Sequence, residues 1–157
     1  MAAPVIHTTR ILPEWLDYND HLNVAFYVLI FDQAGEALLR SIGLGEQATR
    51  STGISWVVLE SHITYDREVT LGQEVEVGTQ LIDYDHKRMH LYFEMRVKGR
   101  KAYLASTLEQ MVMCVDLRKR SSTPFPGDVF DSIQSLAREQ LRLGKPANLG
   151  RRIGIRR

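Results

Sequence analysis

The segment DYNDHLNVAFYVLIF, residues 17–31, joins a polar cluster to a strongly apolar run. Residues 17–23 contain two Asp, two Asn, one Tyr and one His, whereas residues 25–31 form one of the most apolar runs in the chain. Such a run is buried in a folded protein, so the polar cluster must lie directly against the interior. We interpret the cluster as an elaborate helix cap, a chemical site, or both.

The apolar run opens a long helix, predicted at about residues 24–42. Its charged residues Asp32, Glu36 and Arg40 are spaced by four, so they form one exposed stripe and leave the rest of the helix buried. Gly43 is suited to end the helix as its C′ residue.

Much of the remaining chain alternates apolar and polar side chains with a period of two, which indicates half-buried strands. The alternation is clear in residues 75–81 and 88–97, and a short strand is predicted at 5–12. Residues 54–65 and 102–115 are strand-like but less polar, so we expect both to lie inside the sheet.

Three polar segments, LGQE (71–74), DYDHK (83–87) and KGRK (98–101), are predicted to be turns that join adjacent antiparallel strands. A last helix is predicted at about 127–143 from apolar residues at helical spacing, which are Val129, Ile133, Leu136 and Leu141. The order of elements predicts an α+β fold, in which an antiparallel sheet wraps around one long central helix.

At 157 residues the chain has the length of one domain, which we place at residues 1–143, followed by a basic tail at 144–157. Its 44% hydrophobic and 25% charged residues are typical of soluble globular proteins. No apolar run approaches the roughly 18 residues of a membrane-spanning helix, and the start MAAPVIHTTR lacks a secretory hydrophobic region. We therefore predict a cytoplasmic protein without a membrane partner.

The tail contains no acidic residue, and its five basic residues are Lys145, Arg151, Arg152, Arg156 and Arg157. Such a tail can contact nucleic acid or the phosphates of a ligand. Because no aromatic residues interleave the arginines, we favour a solvated terminus and disfavour nucleic-acid binding.

The single cysteine, Cys114, cannot form an intramolecular disulfide, and no spacing of Cys, His and acidic residues indicates a metal site. An apolar strand surrounds Cys114 and raises the pKa of a thiol, so we predict that this thiol is buried and inert. We expect neither a metal nor a cofactor.

The polar cluster and the element order resemble the hotdog-fold acyl-CoA thioesterases of the 4-hydroxybenzoyl-CoA thioesterase-like family. Members often carry Asp, two variable residues, Gly, His, a small apolar residue and Asn, then an aromatic residue near the start of the central helix. Asp17, His21, Asn23 and Tyr27 fall at these places. Within the family, the similarity is greatest to betainyl-CoA thioesterases of carnitine breakdown, through EWLDYNDHLN, YVLIFDQAGEALLRSIGLG, LESHITYDREVTLG and KRMHLYFEM.

The chain departs from the family pattern at two positions. Asp20 stands where Gly is usual, and Val24 stands where a second Asn is frequent. Gly in such a turn often marks a left-handed backbone position, which Asp tolerates better than most residues do. The change at Val24 matters little if only its backbone N–H is used.

The resemblance implies that Asp17 is catalytic and that the substrate is an acyl-CoA, with a trimethylammonium cation on its acyl group. It also implies at least a homodimer, in which two sheets pair edge to edge and the active site forms across the subunit interface. Association of dimers into a tetramer stays open. The alternative function is a non-catalytic acyl-CoA-binding or regulatory protein of the same fold.

Thioester hydrolysis needs a nucleophile or a base-activated water at the carbonyl carbon, and donors for the oxyanion that develops. We hypothesise that Asp17 is the base or nucleophile, and that backbone N–H groups near Asn23 and Val24 form the oxyanion hole at the positive end of the helix. His21 would orient Asp17 or polarise the carbonyl, and Asn23 would fix the water or cap the helix. A purely local hydrogen bond is an equal alternative for both.

Glu60 and His62 are two residues apart and therefore point to the same face of a strand that begins with apolar residues. Burying them unpaired is costly. Either they face solvent at a sheet edge, or Glu60 supplies a second carboxylate near Asp17 across the dimer interface.

Aromatic faces attract quaternary ammonium groups. The candidate acyl-pocket residues lie in or beside the polar cluster or on the strand of Glu60; they are Trp15, Tyr18, Tyr27 and Trp56. For each Trp, a place in the core is the alternative. Candidate cations for the CoA phosphates are Arg67, Lys98, Arg100 and Lys101, with a solubilising surface role as the alternative.

Overall fold

The computed structural model describes residues 3–140 and 142–155. The strands are β1 (Val5–Arg10), β2 (Ile54–Tyr65), β3 (Glu74–Tyr84), β4 (Arg88–Val97), β5 (Tyr103–Asp116) and β6 (Ser121–Ser122). The α-helices are α1 (Val24–Ser41), α2 (Glu46–Thr52) and α3 (Gly127–Gln140), and a 3-10 turn spans Pro13–Trp15. The α+β class and the order of strand, long helix, long strands and last helix are as predicted.

The strands form one antiparallel sheet in the order β1-β3-β4-β5-β2, with β6 added to β5. The prediction that residues 102–115 lie inside the sheet is confirmed, because β5 pairs with both β4 and β2. The same prediction for residues 54–65 is wrong for a single chain, since β2 pairs only with β5 among the described strands and forms an edge. Its side chains Val57, Val58 and Leu59 are exposed for that reason.

Two of the three predicted turns join neighbouring strands. DYDHK connects β3 to β4, and KGRK connects β4 to β5. The prediction is wrong for LGQE, which leads into β3, because β3 pairs with β1 and β4 while β2 lies beyond β5. Turn residues specify a local change of direction, and they do not specify which strand becomes the neighbour.

Helix α1 covers one face of the sheet, which we call the inner face. Its side chains Ile30, Phe31 and Leu38 are at most 2% exposed and share one core cluster with the sheet. The alternating inner-face residues of β4 are all buried, as predicted; they are Met89, Leu91, Phe93, Met95 and Val97. Each such side chain contributes roughly 1.5–3 kcal/mol by burial. The sheet and α1 therefore stabilise each other.

The prediction that α1 is buried apart from its charged stripe is wrong for its first half. Val24, Val28 and Leu29 are 61%, 49% and 37% exposed. Val24 and Val28 precede Asp32 at intervals of four, so they extend the exposed stripe toward the helix start as an apolar surface.

Helix α1 ends in a Schellman motif, and Gly43 is its C′ residue as predicted. Gly43 has φ 87° and donates its N–H to the carbonyl oxygen of Arg40 at 3.2 Å. The N–H of Leu44 donates to the carbonyl oxygen of Leu39 at 2.8 Å. These two bonds satisfy the last helical carbonyls in the pattern that requires a left-handed residue at position 43.

Helix α3 buries Val129 and Ile133, as predicted, and Leu136 is half-buried. The predicted core residue Leu141 lies outside the described residues. No helix in the described part of the chain is long and apolar enough to cross a membrane.

The prediction of a solvated tail is wrong for residues 144–151. This segment lies on the outer face of the sheet, the face opposite α1, where it contacts Gln80, Glu109 and Asp66. The side chains of these three residues hold it there, two through backbone groups of the tail and one through the Arg151 guanidinium. Two of the predicted tail cations, Arg156 and Arg157, lie outside the described residues.

Candidate active site

The polar cluster forms a tight turn between the 3-10 turn and α1. Leu16 and Leu22 form an antiparallel bridge, and the N–H of Asp17 donates to the carbonyl oxygen of His21 at 2.9 Å. Asp20 has φ 60°, which is the left-handed conformation that the usual Gly would adopt. The expectation of a left-handed position at Asp20 is therefore confirmed, and the departure from the family pattern preserves the turn.

The turn fixes one oxygen of the Asp17 carboxylate. Asp17 Oδ1 accepts the N–H of Asn19 at 2.8 Å and the N–H of His21 at 3.4 Å. The other oxygen, Oδ2, accepts no hydrogen bond from any residue that the structure describes. A half-buried carboxylate with one held oxygen and one open oxygen is suited to remove a proton or to attack an electrophile.

The start of α1 presents one open amide. The Asn23 side chain caps the helix, its Oδ1 accepting the N–H of Ala25 at 3.0 Å, and the N–H of Phe26 donates to the carbonyl oxygen of Asn23 at 2.9 Å. The N–H of Asn23 itself donates to the carbonyl oxygen of Trp15 at 2.9 Å, so it cannot also serve an oxyanion. Of the first-turn amides, only that of Val24 has no acceptor in the described structure, and the positive end of the helix favours an anion there.

The imidazole of His21 pairs with a residue that the sequence analysis did not single out. His21 Nε2 lies 3.0 Å from Glu68 Oε2, so the ring does not orient Asp17 directly and only the backbone N–H of His21 does so. The fold brings the two segments together, because the N–H of Leu22 donates to the carbonyl oxygen of Val69 at 2.8 Å. No local sequence signal connects residues so far apart in the chain.

The predicted aromatic residues near the turn occupy different environments. Trp15 is buried and stacks on Phe26 with ring centroids 5.6 Å apart, so in this chain it belongs to the core. Tyr18 is 95% exposed in a single chain. Tyr27 is buried edge-on against Tyr65, and burial raises its pKa to about 12, so its hydroxyl stays protonated at neutral pH.

A cavity of about 650 Å³ lies between α1 and β2, starting one helical turn beyond Val24. Trp56 lines it from β2, together with apolar side chains of both elements. Its acidic lining residues are Asp32, Glu36 and Glu46, and no Lys, Arg or His is among the described residues that line it. The cavity is therefore apolar with a negative wall.

Two of the three acids are already paired. Glu36 lies 3.6 Å from Arg40, and Glu46 pairs with Arg50. Asp32 has no salt bridge within the described structure. Its charge is the one that remains to attract a cation in the cavity.

Glu60 and His62 face away from this cavity. A β-bulge between Val58 and Glu60 reverses the alternation of β2, which directs both side chains to the outer face. There they line a second cavity, of about 310 Å³, with His90 and Glu109. The structure therefore does not bring Glu60 beside Asp17 within one chain, and its approach to the motif of a second chain stays a prediction.

The predicted CoA-binding cations lie at the end of the sheet where the polar turn lies. The turn 98–101 joins β4 to β5. Near the start of β5, the carbonyl oxygen of Ala105 accepts the N–H of Arg67 at 3.1 Å. The Arg67 guanidinium lies 4.2 Å from the centroid of the Tyr103 ring, while Lys98 pairs with Glu74. Arg67, Arg100 and Lys101 are thus the cations open to a ligand, and the pairing of Lys98 with Glu74 weakens its candidacy.

Neither metal ligands nor an activated thiol compete with Asp17 in the described structure. No cluster of His, Cys, Asp or Glu within residues 3–140 and 142–155 has the geometry of a metal site. Cys114 is buried as predicted, and burial raises its pKa to about 11, so the thiolate nucleophile is suppressed.

Comparison with known proteins places this geometry in a family. Residues 11–134 match the model of the thioesterase-like superfamily. The chain is 41% identical to the betainyl-CoA thioesterase of Pseudomonas aeruginosa, over 95% of this chain and 93% of that protein. A putative thioesterase of Pseudomonas putida superposes with a TM-score of 0.85 at 35% identity, over 100% of this chain and 99% of its own.

A Staphylococcus aureus protein solved in complex with CoA superposes with a TM-score of 0.91 at 30% identity, over 99% of this chain and 98% of its own. The expected hotdog fold and thioesterase activity are therefore confirmed. The chain belongs to the thioesterase-like superfamily, as a thioester hydrolase with the hotdog fold.

Proposed function

We propose that this thioester hydrolase cleaves an acyl-CoA whose small acyl group bears a quaternary ammonium, and that its substrate is betainyl-CoA. The products are glycine betaine and CoA. The observation that carries the proposal is the apolar cavity that begins one helical turn beyond Val24, with the ring of Trp56 and the carboxylate of Asp32, which has no salt bridge in the described structure, on its wall. The name of the Pseudomonas aeruginosa relative supports the same substrate.

Asp17 and the Val24 amide divide the chemistry between them. Asp17 either removes a proton from water as that water attacks the carbonyl carbon, or attacks the carbon itself to form a mixed anhydride that water then hydrolyses. In either path the carbonyl oxygen becomes negative and accepts the open N–H of Val24. The C–S bond then breaks, and the sulfur leaves as the CoA thiolate and takes up a proton.

The cation requires a wall that attracts charge without a hydrogen-bond donor. A trimethylammonium group has no N–H to donate, so aromatic faces and carboxylates at a distance stabilise it better than a tight polar contact does. Trp56 supplies the aromatic surface and Asp32 the charge. Neutral acyl groups of the same shape gain nothing from Asp32, so the cavity selects for charge as well as for size.

The phosphates of CoA require cations at the entrance. Arg67, Arg100 and Lys101 meet this requirement at the end of the sheet that carries the polar turn. Arg67 is held over the Tyr103 ring, which fixes its position without neutralising it. We assign the binding of the CoA phosphates to these three residues.

The working unit is a homodimer formed along the edge strand β2. An unpaired strand edge with apolar side chains invites pairing with another chain. Val57, Val58 and Leu59 are 37%, 49% and 50% exposed, and the apolar start of α1 adds to the same unpartnered surface. Across such an interface Glu60 remains the candidate second carboxylate, and whether dimers form a tetramer is decided by solution mass.

The test compares betainyl-CoA with 3,3-dimethylbutyryl-CoA, its uncharged carbon isostere, by release of free thiol. We expect kcat/KM to favour betainyl-CoA and Asp17→Asn to lower kcat for both by about 10²–10⁴-fold. Asp131→Asn, which removes an exposed acid from α3, is the matched control and should leave both rates unchanged. Equal rates for the two thioesters would overturn the substrate assignment.

The same assay separates catalysis from binding. A protein that binds both thioesters by equilibrium dialysis and releases no thiol from either, or that keeps full activity as Asp17→Asn, does not work as proposed.

A further inference from the structure

The tail crosses the sheet in a defined direction. Gly144 accepts a hydrogen bond from Gln80 Nε2 of β3 at 3.3 Å, and the N–H of Gly150 donates to Glu109 Oε2 of β5 at 2.7 Å. Since β4 lies between β3 and β5, the segment runs across the strands, from the middle of the sheet toward β2.

The tail reaches the edge of the sheet at Arg151. The Arg151 guanidinium lies 3.7 Å from Asp66, which directly follows β2. Gly150 and Arg151 also line the outer-face cavity that contains Glu60 and His62 of β2. Beyond β2 this chain provides no further strand within the described residues.

The residues that follow Arg151, which we call the arm (152–155), begin at this edge. Ile153 is 93% exposed and Ile155 is 87% exposed, the highest exposures of any large aliphatic side chains described. A segment that is held by hydrogen bonds and a salt bridge up to Arg151 and then exposes two isoleucines presents apolar side chains that no described part of this chain covers.

We infer that the arm binds the outer face of a second copy of this chain, and that the two arms of the dimer are exchanged across the β2 edge. The inference goes beyond the catalytic assignment and rests on the β2 dimer proposed above. In a dimer with a two-fold axis the exchange is reciprocal, because each arm meets the same surface of the other protomer.

The arm is long enough to reach the outer face of a second copy. Four extended residues span about 13 Å. Neighbouring strands are about 4.8 Å apart, so the arm covers more than two strands beyond its own edge. Those strands are β2 and β5 of the second copy, the strands that border the outer-face cavity of Glu60 and Glu109.

The charges fit as well. Arg152 in the arm is exposed, and Glu60 on the outer face is exposed and has no salt bridge in the described structure. The cationic Arg152 is therefore complementary to an unpaired carboxylate on the outer face of a second copy.

The first experiment measures the dimer dissociation constant by sedimentation velocity. We expect the double variant Ile153→Ser with Ile155→Ser to raise this constant by about tenfold or more, since it removes the apolar burial that offsets the cost of ordering the arm. Ile153→Leu with Ile155→Leu should restore it, and Val5→Ser, on the opposite edge strand, is the matched control. Thioester hydrolysis by the dimer, measured above its dissociation constant, should be unchanged.

The second experiment locates the arm. Ile153→Cys is labelled with benzophenone maleimide, mixed with unmodified ¹⁵N-labelled protein and irradiated; Cys114 is buried and stays unlabelled. We expect cross-links between the two isotopes that map to β2 and β5. Cross-links confined to one isotope, or to copurified nucleic acid or another protein, overturn the inference.

The outcomes also distinguish the arm from the dimer. A protein that is monomeric at all concentrations refutes the β2 dimer and the arm with it. If the dissociation constant is unchanged by the serine substitutions and the cross-links form only within one chain, the exchange of arms is refuted. The proposed dimer and the catalytic proposal are then unaffected.

Discussion

Replacing Asp32 by Asn tests the electrostatic part of the substrate assignment. The substitution keeps the size of the side chain and removes the one acid of the α1–β2 cavity that has no salt bridge in the described structure. If the cavity selects a cationic acyl group through this charge, betainyl-CoA should lose rate while its neutral isostere keeps it.

The size of the expected loss in rate follows from the distance along α1. From Val24, whose N–H we propose as the oxyanion donor, to Asp32 the helix rises about 12 Å. The nitrogen of a betainyl group lies two bonds beyond the carbonyl carbon, and the Asp32 side chain leans back toward the helix start, so the two charges are roughly 8 Å apart. At an effective dielectric constant of about 20 to 40 their attraction is about 1–2 kcal/mol. This corresponds to about a 5- to 30-fold fall in kcat/KM.

The assay is steady-state thiol release from betainyl-CoA and 3,3-dimethylbutyryl-CoA, at low and high ionic strength. The ratio of the two kcat/KM values isolates the charge, because any general loss of activity cancels. We expect the ratio to fall about 5- to 30-fold in Asp32→Asn and to stay constant in Asp131→Asn. An unchanged ratio, or an equal loss for both thioesters, refutes the reasoning.

Four further predictions concern the turn, the helix cap and two titratable groups. Asn23→Ala removes the α1 cap and should lower the free energy of unfolding in urea by about 1 kcal/mol. Asp20→Gly should raise the free energy of unfolding by up to about 1 kcal/mol, since φ is 60° at this position and Gly adopts it without steric cost. A lower free energy of unfolding would show that the backbone of Asp20 is not strained. The pKa of Asp85 is lowered from 3.8 to about 2, chiefly by its hydrogen bond from Arg88. The ionised carboxylate therefore stabilises the folded protein fully above pH 3.8, and this contribution is lost as the pH falls toward 2. Asp85→Asn should lose less unfolding free energy than the wild type across that interval. Cys114 should not react with a disulfide reagent in the folded protein and should react fully in urea, whereas reaction in the native state would refute its burial.

Local patterns were sufficient to predict the elements. Helix α1 ends where Gly43 predicts, and the alternation in β4 identifies its five buried inner-face residues, while Tyr92 on the outer face is buried as well. Helix caps and strand faces are set by neighbours in sequence. The polar turn could also be predicted, since the hydrogen bonds of Asp17 and Asn23 and the left-handed backbone of Asp20 all lie within a few residues of one another.

Predictions that depended on residues distant in the sequence were less accurate. The apolar character of residues 54–65 indicated a central strand, yet β2 is an edge of the single chain, since burial by a second copy and burial inside a sheet leave the same composition. The bulge before Glu60 is invisible in the sequence, and it decides which face that carboxylate takes.

The sequence by itself determined the capped central helix, the inner face of β4 and the carboxylate that precedes the helix, because each depends on contacts only a few residues long. Only the tertiary structure decided that His21 pairs with Glu68, that Val24 keeps the one open amide of the first turn of α1 in the described structure, that Asp32 and Trp56 share a cavity, and that the tail crosses the outer face. These features depend on which distant segments the packed sheet and helix bring within hydrogen-bonding distance, and no local pattern encodes that choice.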